Sequence, residues 1–128
     1  MSQLNSFLET ALWSTSDYCA TNEGDKMLDA KYSIDDISPD FQKEAESMID
    51  KFLELATPLF TEYEMQHAPI GHDLWLTLEG HGAGFWDGDY EQRDALTEIV
   101  KGLGFHDSFW SEKLNESINR SEDNEKSI

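Results

Sequence analysis

Apolar residues recur at helical spacing in two stretches of the N-terminal half of the chain. The first stretch predicts a short amphipathic helix that runs toward Trp13. Its apolar members are Leu4, Phe7, Leu8, Ala11 and Leu12. The second stretch begins after Ser38 and Pro39, an N-cap residue followed by proline at the first helical position. Its apolar members are Phe41, Ala45, Met48, Ile49, Phe52, Leu55, Ala56, Leu59, Phe60 and Tyr63.

Local signals refine the boundaries of these helices. Residues 14–31 are rich in Ser, Thr, Asp, Asn and Gly, a composition that predicts a long surface loop. Ser33 and Asp36 have the spacing of a capping box, which predicts a capped helical turn. Pro58 removes a backbone donor and clashes with the preceding turn, so we expect a kink or a break in the second helix near Thr57.

The central stretch, residues 71–89, predicts a β-hairpin at about 72–87. Residues 73–78 alternate like a strand, residues 79–82 are typical of a tight turn, and residues 83–87 return as a second strand. With a two-residue loop, Trp75 would lie opposite Trp86 and Thr77 opposite Gly84. A three-residue loop would shift the register by one and separate the tryptophans, and the sequence leaves both loops open.

The C-terminal third predicts one more helix. Asp89 and Gln92 have the spacing of a helix cap, and the buried side of the helix is Leu96, Ile99, Val100 and Leu103. Residues 105–110 are a candidate third strand, and residues 111–128 form a polar segment expected to be flexible. These elements together predict a single α+β domain at 1–110, in which a small antiparallel sheet packs against two to four helices.

Charge excludes several classes of function. The chain has 27 Asp and Glu against 9 Lys and Arg, a net charge of -18. A field of that sign repels the phosphates of nucleic acids and of anionic lipids, so we expect neither as a direct partner. Cys19 has no second cysteine, no apolar run is long enough to span a bilayer, and no export signal is evident, so the cytoplasm is the expected location.

The outer face of the second helix offers the first candidate binding surface. It carries Asp40, Glu44, Glu46, Asp50 and Glu54, with Lys43 and Lys51 between them. Carboxylates fixed on one helix can complement a basic partner, although an acidic surface can equally serve solubility alone.

The hairpin offers the alternative candidate site, made of His72, Asp73, Trp75, His81, Trp86 and Asp87. A pair of tryptophans can stack a ligand ring, but on small sheets such residues more often complete the core. The two histidines would lie about 30 Å apart along a regular strand, so a shared metal ion is disfavoured and no cofactor is expected. The glycines at 80, 82 and 84 lack the strand-to-helix context of a phosphate loop, and no nucleophile pattern supports catalysis.

Residues 71–88, GHDLWLTLEGHGAGFWDG, resemble the core motif of a family of small, mostly uncharacterised bacteriophage proteins. Those proteins carry HDFWLT, two or three variable residues and then GHGAGFWDR. Here Leu74 replaces the usual Phe, Gly88 replaces the usual Arg, and the C-terminal end lacks the strand rich in Tyr, Val and Asp that is typical of the family. The resemblance implies a phage gene product that acts inside the bacterial host, and it carries over no activity and no catalytic residues.

Three hypotheses follow. The first is a non-enzymatic acidic protein that binds a basic, nucleic-acid-binding host or anti-phage defence protein by mimicking nucleic-acid charge. The second is a small-ligand or metal-binding module on the hairpin, with or without enzymatic activity. The third is a hairpin motif with a purely architectural role.

Overall fold

The protein is helical in the part of the chain that the structure describes. The computed structural model describes residues 3–16, 27–80, 84–85, 90–105 and 108–118. Its α-helices in these ranges are α1 (Gln3–Ser14), α2 (Pro39–Ala56), α3 (Glu62–His67), α4 (Ile70–Leu78), α5 (Arg93–Gly102) and α6 (Phe109–Ser117). Three 3-10 turns accompany them at Leu28–Ala30, Ile34–Asp36 and Thr57–Leu59.

The predicted α+β fold class is wrong. No strand or sheet occurs in the described ranges, where β pairing is limited to isolated bridges from Ser16 to Met27 and from Ile37 to Ile118. None of the described helices combines the length and the apolar character needed to cross a bilayer.

The two N-terminal helices confirm the predictions made from local signals. In the turn before α2, the backbone N–H of Ser33 donates to Asp36 Oδ2 at 2.9 Å, and both bonds of the capping box are present. Ser38 Oγ caps α2 by accepting from the backbone N–H of Phe41 at 3.1 Å. The helix ends at Ala56, and Pro58 lies in the 3-10 turn that follows.

The predicted hairpin is also wrong, because its first strand is the helix α4. Alternation of Leu74, Leu76 and Leu78 suggested a strand, but α4 is buried on more than one side, and such a helix loses its amphipathic period. Its buried residues are Ile70, Gly71, Leu74, Trp75, Leu76 and Leu78. The hydroxyl of Thr77 is satisfied within the helix, since its Oγ1 donates to the carbonyl oxygen of Asp73 at 2.7 Å.

Close packing joins α4 to α1. Gly71 lies against the N-terminal turn of α1, where a Cβ atom would clash with the carbonyl oxygen of Gln3 and stand 2.9 Å from the backbone N of Phe7. The backbone N–H of Gly71 donates to Gln3 Oε1 at 2.9 Å. One turn further on, the ring of Trp75 meets that of Phe7 edge to face at 5.2 Å. Because residue 71 has no side chain, the two helices can approach this closely.

The C-terminal part corrects two further expectations. The candidate third strand at 105–110 overlaps the start of α6, with residues 106 and 107 outside the described ranges. Residues 111–117 of the expected flexible segment 111–128 also lie in α6, in which Trp110 and Leu114 are core residues. Residues 119–128 lie outside the described ranges. Ser111 and Asn115 of this short, mostly polar helix are buried as well, and Asn115 Nδ2 donates to the carbonyl oxygen of Ser16 at 3.1 Å.

The helix α5 confirms the predicted helix after residue 89. Leu96 and Val100 are buried, and Ile99 and Leu103 pack against the core from partly exposed positions. Gln92 precedes the helix without a side-chain cap, and its predicted partner Asp89 lies outside the described residues.

Candidate functional site

The residues predicted for the hairpin site do not form one site in the part of the chain that the structure describes. Trp75 is 0% exposed, and its Nε1 donates to Ser14 Oγ at 2.9 Å, so it is a core residue and not a stacking platform. His81, Trp86 and Asp87 lie outside the described ranges. Within those ranges, no three His, Cys, Asp or Glu side chains are grouped so that they could hold a metal ion.

His72 and Asp73 are the remaining members of that set, and they do meet. His72 Nδ1 lies 3.0 Å from Asp73 Oδ1, and the imidazole ring lies 5.7 Å from the ring of Trp13. Asp73 Oδ2 accepts from the hydroxyl of Tyr90 at 2.6 Å. Asp73 therefore joins the first turn of α4 to the segment before α5.

The predicted neighbours Thr77 and Gly84 do lie in contact, but Thr77 belongs to the helix α4 and not to a strand. The backbone N–H of Phe85 donates to Thr77 Oγ1 at 3.0 Å, and Gly84 has a φ of 138°. A Cβ atom at Gly84 would clash with Thr77 Oγ1. This glycine is thus required both by its backbone conformation and by close approach.

The acidic residues predicted on α2 are all exposed on its solvent face: Asp40, Glu44, Glu46, Asp50 and Glu54. Glu44 Oε1 forms an ion pair with Lys113 of α6 at 3.3 Å. Among the described residues, the other four carboxylates have no cationic side chain within ion-pair distance, and Lys43 and Lys51 are also exposed. We call this set of five carboxylates the α2 acidic face.

A second candidate site is a cleft of about 620 Å³ between α3, the start of α4 and the segment before α5. Its lining includes Tyr63, Glu64, His67, Asp73, Tyr90 and Glu91. We call it the α3–α4 cleft.

Glu64 lies at the inner side of this cleft and is held in place by backbone donors. Its Oε1 accepts from the N–H of Thr61 at 2.9 Å, and its Oε2 accepts from the N–H of Glu91 at 3.0 Å. Only 8% of Glu64 is exposed. The first of these bonds belongs to a capping box at the start of α3, so Glu64 both caps a helix and fixes the segment before α5.

Tyr90 closes the inner end of the cleft. Burial, the hydrogen bond to Asp73 and the negative charges of Asp73 and Glu64 all raise the pKa of its hydroxyl far above the ordinary value. The hydroxyl therefore stays protonated and acts as a donor to Asp73. Its ring lies 5.1 Å from that of Phe85 and 5.8 Å from that of Phe60, which anchors it to the core.

Tyr63 is on the outer side of the cleft, where the sequence pattern had placed it in the buried stripe of α2. It is 72% exposed, and its ring lies 4.6 Å from that of His67. The Thr61–Glu64 spacing of a capping box was the signal that could have predicted a new helix here, and with it a new orientation for Tyr63.

Comparison of the chain with protein families, curated proteins and solved structures finds no match.

Proposed function

We propose that this protein is a phage-encoded, non-enzymatic binding protein that uses the α2 acidic face to engage a basic host or defence protein. The observation that carries the proposal is the set of five exposed carboxylates on one helix, four of them without an ion-pair partner among the described residues. The net charge of -18 adds a long-range field that steers basic proteins toward the molecule.

The α2 acidic face has a cost that the fold does not explain. Asp40 with Glu44, Glu46 with Asp50 and Asp50 with Glu54 are like-charge pairs four residues apart, and each destabilises a helix by about 0.2–0.5 kcal/mol. Glu54 also lies near the negative end of the helix dipole, where the last turn contains no basic residue. The ion pair of Glu44 with Lys113 and the place of Asp40 in the first turn offset part of this cost. Glu46, Asp50 and Glu54 gain no ion pair among the described residues, and this uncompensated cost supports a role in binding.

The charge per unit length of α2 can be compared with that of a DNA strand. From Asp40 to Glu54, five carboxylates less two lysines leave a net charge of −3 over a helical rise of about 21 Å. One DNA strand would carry about six charges over that length. The α2 acidic face thus has about half the linear charge of one strand, and the remaining attraction would come from the field of the whole molecule.

The test compares the protein with two variants of equal net charge in pull-downs from lysate of the bacterial host. One variant, Glu46→Gln/Asp50→Asn/Glu54→Gln, neutralises the α2 acidic face. The control, Glu9→Gln/Asp94→Asn/Glu98→Gln, removes three exposed charges from α1 and α5. We expect the first variant to capture at least about tenfold less of the partner than the unmodified protein does. The control should capture as much as the unmodified protein.

Salt and competition complete the test. Captured protein should be released as salt increases, and double-stranded DNA should displace it if the partner uses its nucleic-acid site. Capture that is indifferent to salt, or that is lost equally from both variants, would contradict the proposal.

A further inference from the structure

The α3–α4 cleft contains two almost buried carboxylates, and the described residues that line it include neither Lys nor Arg. Glu64 is 8% exposed and the side chain of Asp73 is 14% exposed. Buried carboxylates are normally paired with a cation, because burial without a countercharge is costly. Backbone N–H groups, the hydroxyl of Tyr90 and the imidazole of His72 supply hydrogen bonds here, but no Lys or Arg side chain does.

Both carboxylates also retain capacity to accept further hydrogen bonds. An ionised carboxylate has about four acceptor positions on its two oxygens. From described residues, Glu64 accepts two hydrogen bonds, both from backbone N–H groups, and Asp73 accepts two, from Tyr90 and His72. Because these bonds fix the carboxylates in position, a cation that enters the cleft meets acceptors that need no reorganisation.

Aromatic rings add a second feature that favours a cation. The largely exposed ring of Tyr63 lies on His67 at the outer side of the cleft, and Tyr90 lies at its inner end. A guanidinium or ammonium group is attracted to the face of such rings, most strongly where water is partly excluded. A large aromatic side chain that gains so little burial in its own fold is available for this contact.

We propose that the α3–α4 cleft receives the guanidinium or ammonium group of a basic side chain displayed by the partner protein. The volume of about 620 Å³ lies within the usual range for ligand pockets, so a whole Arg or Lys side chain fits. That the cation comes from a partner protein rests on the proposed function. The α2 acidic face would attract that partner, and the cleft would bind one of its basic side chains.

The first experiment is an NMR titration with N-acetyl-arginine amide at constant ionic strength. Saturable shifts are expected at the ring signals of Tyr63 and His67, with a dissociation constant in the millimolar range. The matched neutral compound, N-acetyl-citrulline amide, keeps the shape but lacks the charge and should produce no saturable shift. Equal binding of the two compounds, or no saturation with arginine, would overturn the proposal.

Variants test whether the cleft itself binds. Tyr63→Leu and Glu91→Gln change exposed side chains and should each weaken arginine binding by about two- to fivefold. Glu98→Gln on α5 removes the same charge as Glu91→Gln outside the cleft and should leave binding unchanged. An equal loss in Glu98→Gln would show that only the general field attracts the ligand, and would overturn the assignment.

Two further arms separate this proposal from its alternatives. Spermidine probes a free small amine, and saturable binding of spermidine at the rings of Tyr63 and His67, with none of the arginine compound there, would overturn attachment of a protein side chain. Glu46→Gln/Asp50→Asn/Glu54→Gln should bind the arginine compound as the unmodified protein does. If the unmodified protein binds the arginine compound but captures no partner, the proposed function fails and the cleft assignment stands. If it captures a partner that depends on the α2 acidic face but does not bind the arginine compound, the cleft assignment fails and the proposed function stands.

Discussion

Two buried tryptophans differ in one hydrogen bond, and this difference should be measurable. The rings of Trp75 and Trp110 both meet Phe7 edge to face, at 5.2 and 6.1 Å. Trp75 Nε1 donates to Ser14 Oγ, whereas the buried Nε1 of Trp110 has no acceptor among the described residues. A buried N–H without an acceptor costs about 1–3 kcal/mol, so Trp110 retains a penalty that Trp75 does not.

We therefore expect Trp75→Phe to cost more stability than Trp110→Phe. Both substitutions remove similar volume, but the first breaks a hydrogen bond and the second removes an unsatisfied donor. The difference in the free energy of unfolding should be at least about 1 kcal/mol by urea denaturation. Equal losses would indicate that Trp110 finds an acceptor in solution.

Tyr90 should make the free energy of unfolding depend on pH in the alkaline range. Its pKa in the folded protein is raised above the unfolded value of 10.0, so the stabilisation is complete below pH 10. Above that pH the unfolded chain loses the proton first, and the free energy of unfolding should fall by up to about 1.4 kcal/mol per pH unit. Urea unfolding from pH 9 to about 11.5 should show this fall in the unmodified protein and in Tyr63→Phe, but a weaker one in Tyr90→Phe. Identical pH dependence in all three proteins would refute the assignment.

At the scale of helices, two glycines predict opposite results for the same substitution. Gly71→Ala would drive a Cβ atom into the backbone of α1, and no side-chain rotation relieves that clash. We expect the free energy of unfolding to fall by about 1–3 kcal/mol or more.

Gly102 ends α5, and no atom lies within 4 Å of the point where an alanine methyl group would stand. Gly102→Ala should therefore add about 0.4–1 kcal/mol by restricting the unfolded chain. Thermal denaturation of both variants decides this, and a tolerated Gly71→Ala would contradict the packing of α1 on α4.

Elements with local signals were predictable, and those defined by burial were not. The caps at Ser33 and Ser38 and the break at Pro58 depend on neighbours within four residues, so the sequence contains the whole interaction. α4 is buried on several sides, and an apolar run of that kind is compatible with a strand or a helix. α6 depends on Leu114 and Trp110 reaching a core that other helices build.

The same distinction applies to the candidate sites. The α2 acidic face follows from helical periodicity alone, and its residues lie where the sequence placed them. The α3–α4 cleft depends on Glu64, Asp73 and Tyr90, which come from three separate segments and meet through tertiary hydrogen bonds. Asp73 was a candidate for other reasons, but no sequence spacing indicates that Tyr90 would bind it.

At the scale of the whole molecule, the net charge of -18 opposes compactness as much as it attracts a partner. Repulsion between exposed charges is screened within about 10 Å at 0.1 M salt and within about 3 Å at 1 M. The melting temperature should therefore rise with sodium chloride, and most of the rise should occur below about 0.5 M.

The α2 acidic face makes this prediction specific. Glu46→Gln/Asp50→Asn/Glu54→Gln removes two like-charge pairs worth about 0.4–1 kcal/mol together, which should raise the melting temperature by about 2–5 °C at low salt. Screening already removes this repulsion at high salt, so the variant and the unmodified protein should converge there. Glu9→Gln/Asp94→Asn/Glu98→Gln changes the net charge equally but breaks the weak ion pair of Glu98 with Lys101, so it should gain less. A stabilised α2 variant that no longer binds its partner would show that these carboxylates serve binding at the expense of stability. Unchanged stability in every variant and at every salt concentration would show that repulsion between these carboxylates does not lower the stability of the protein.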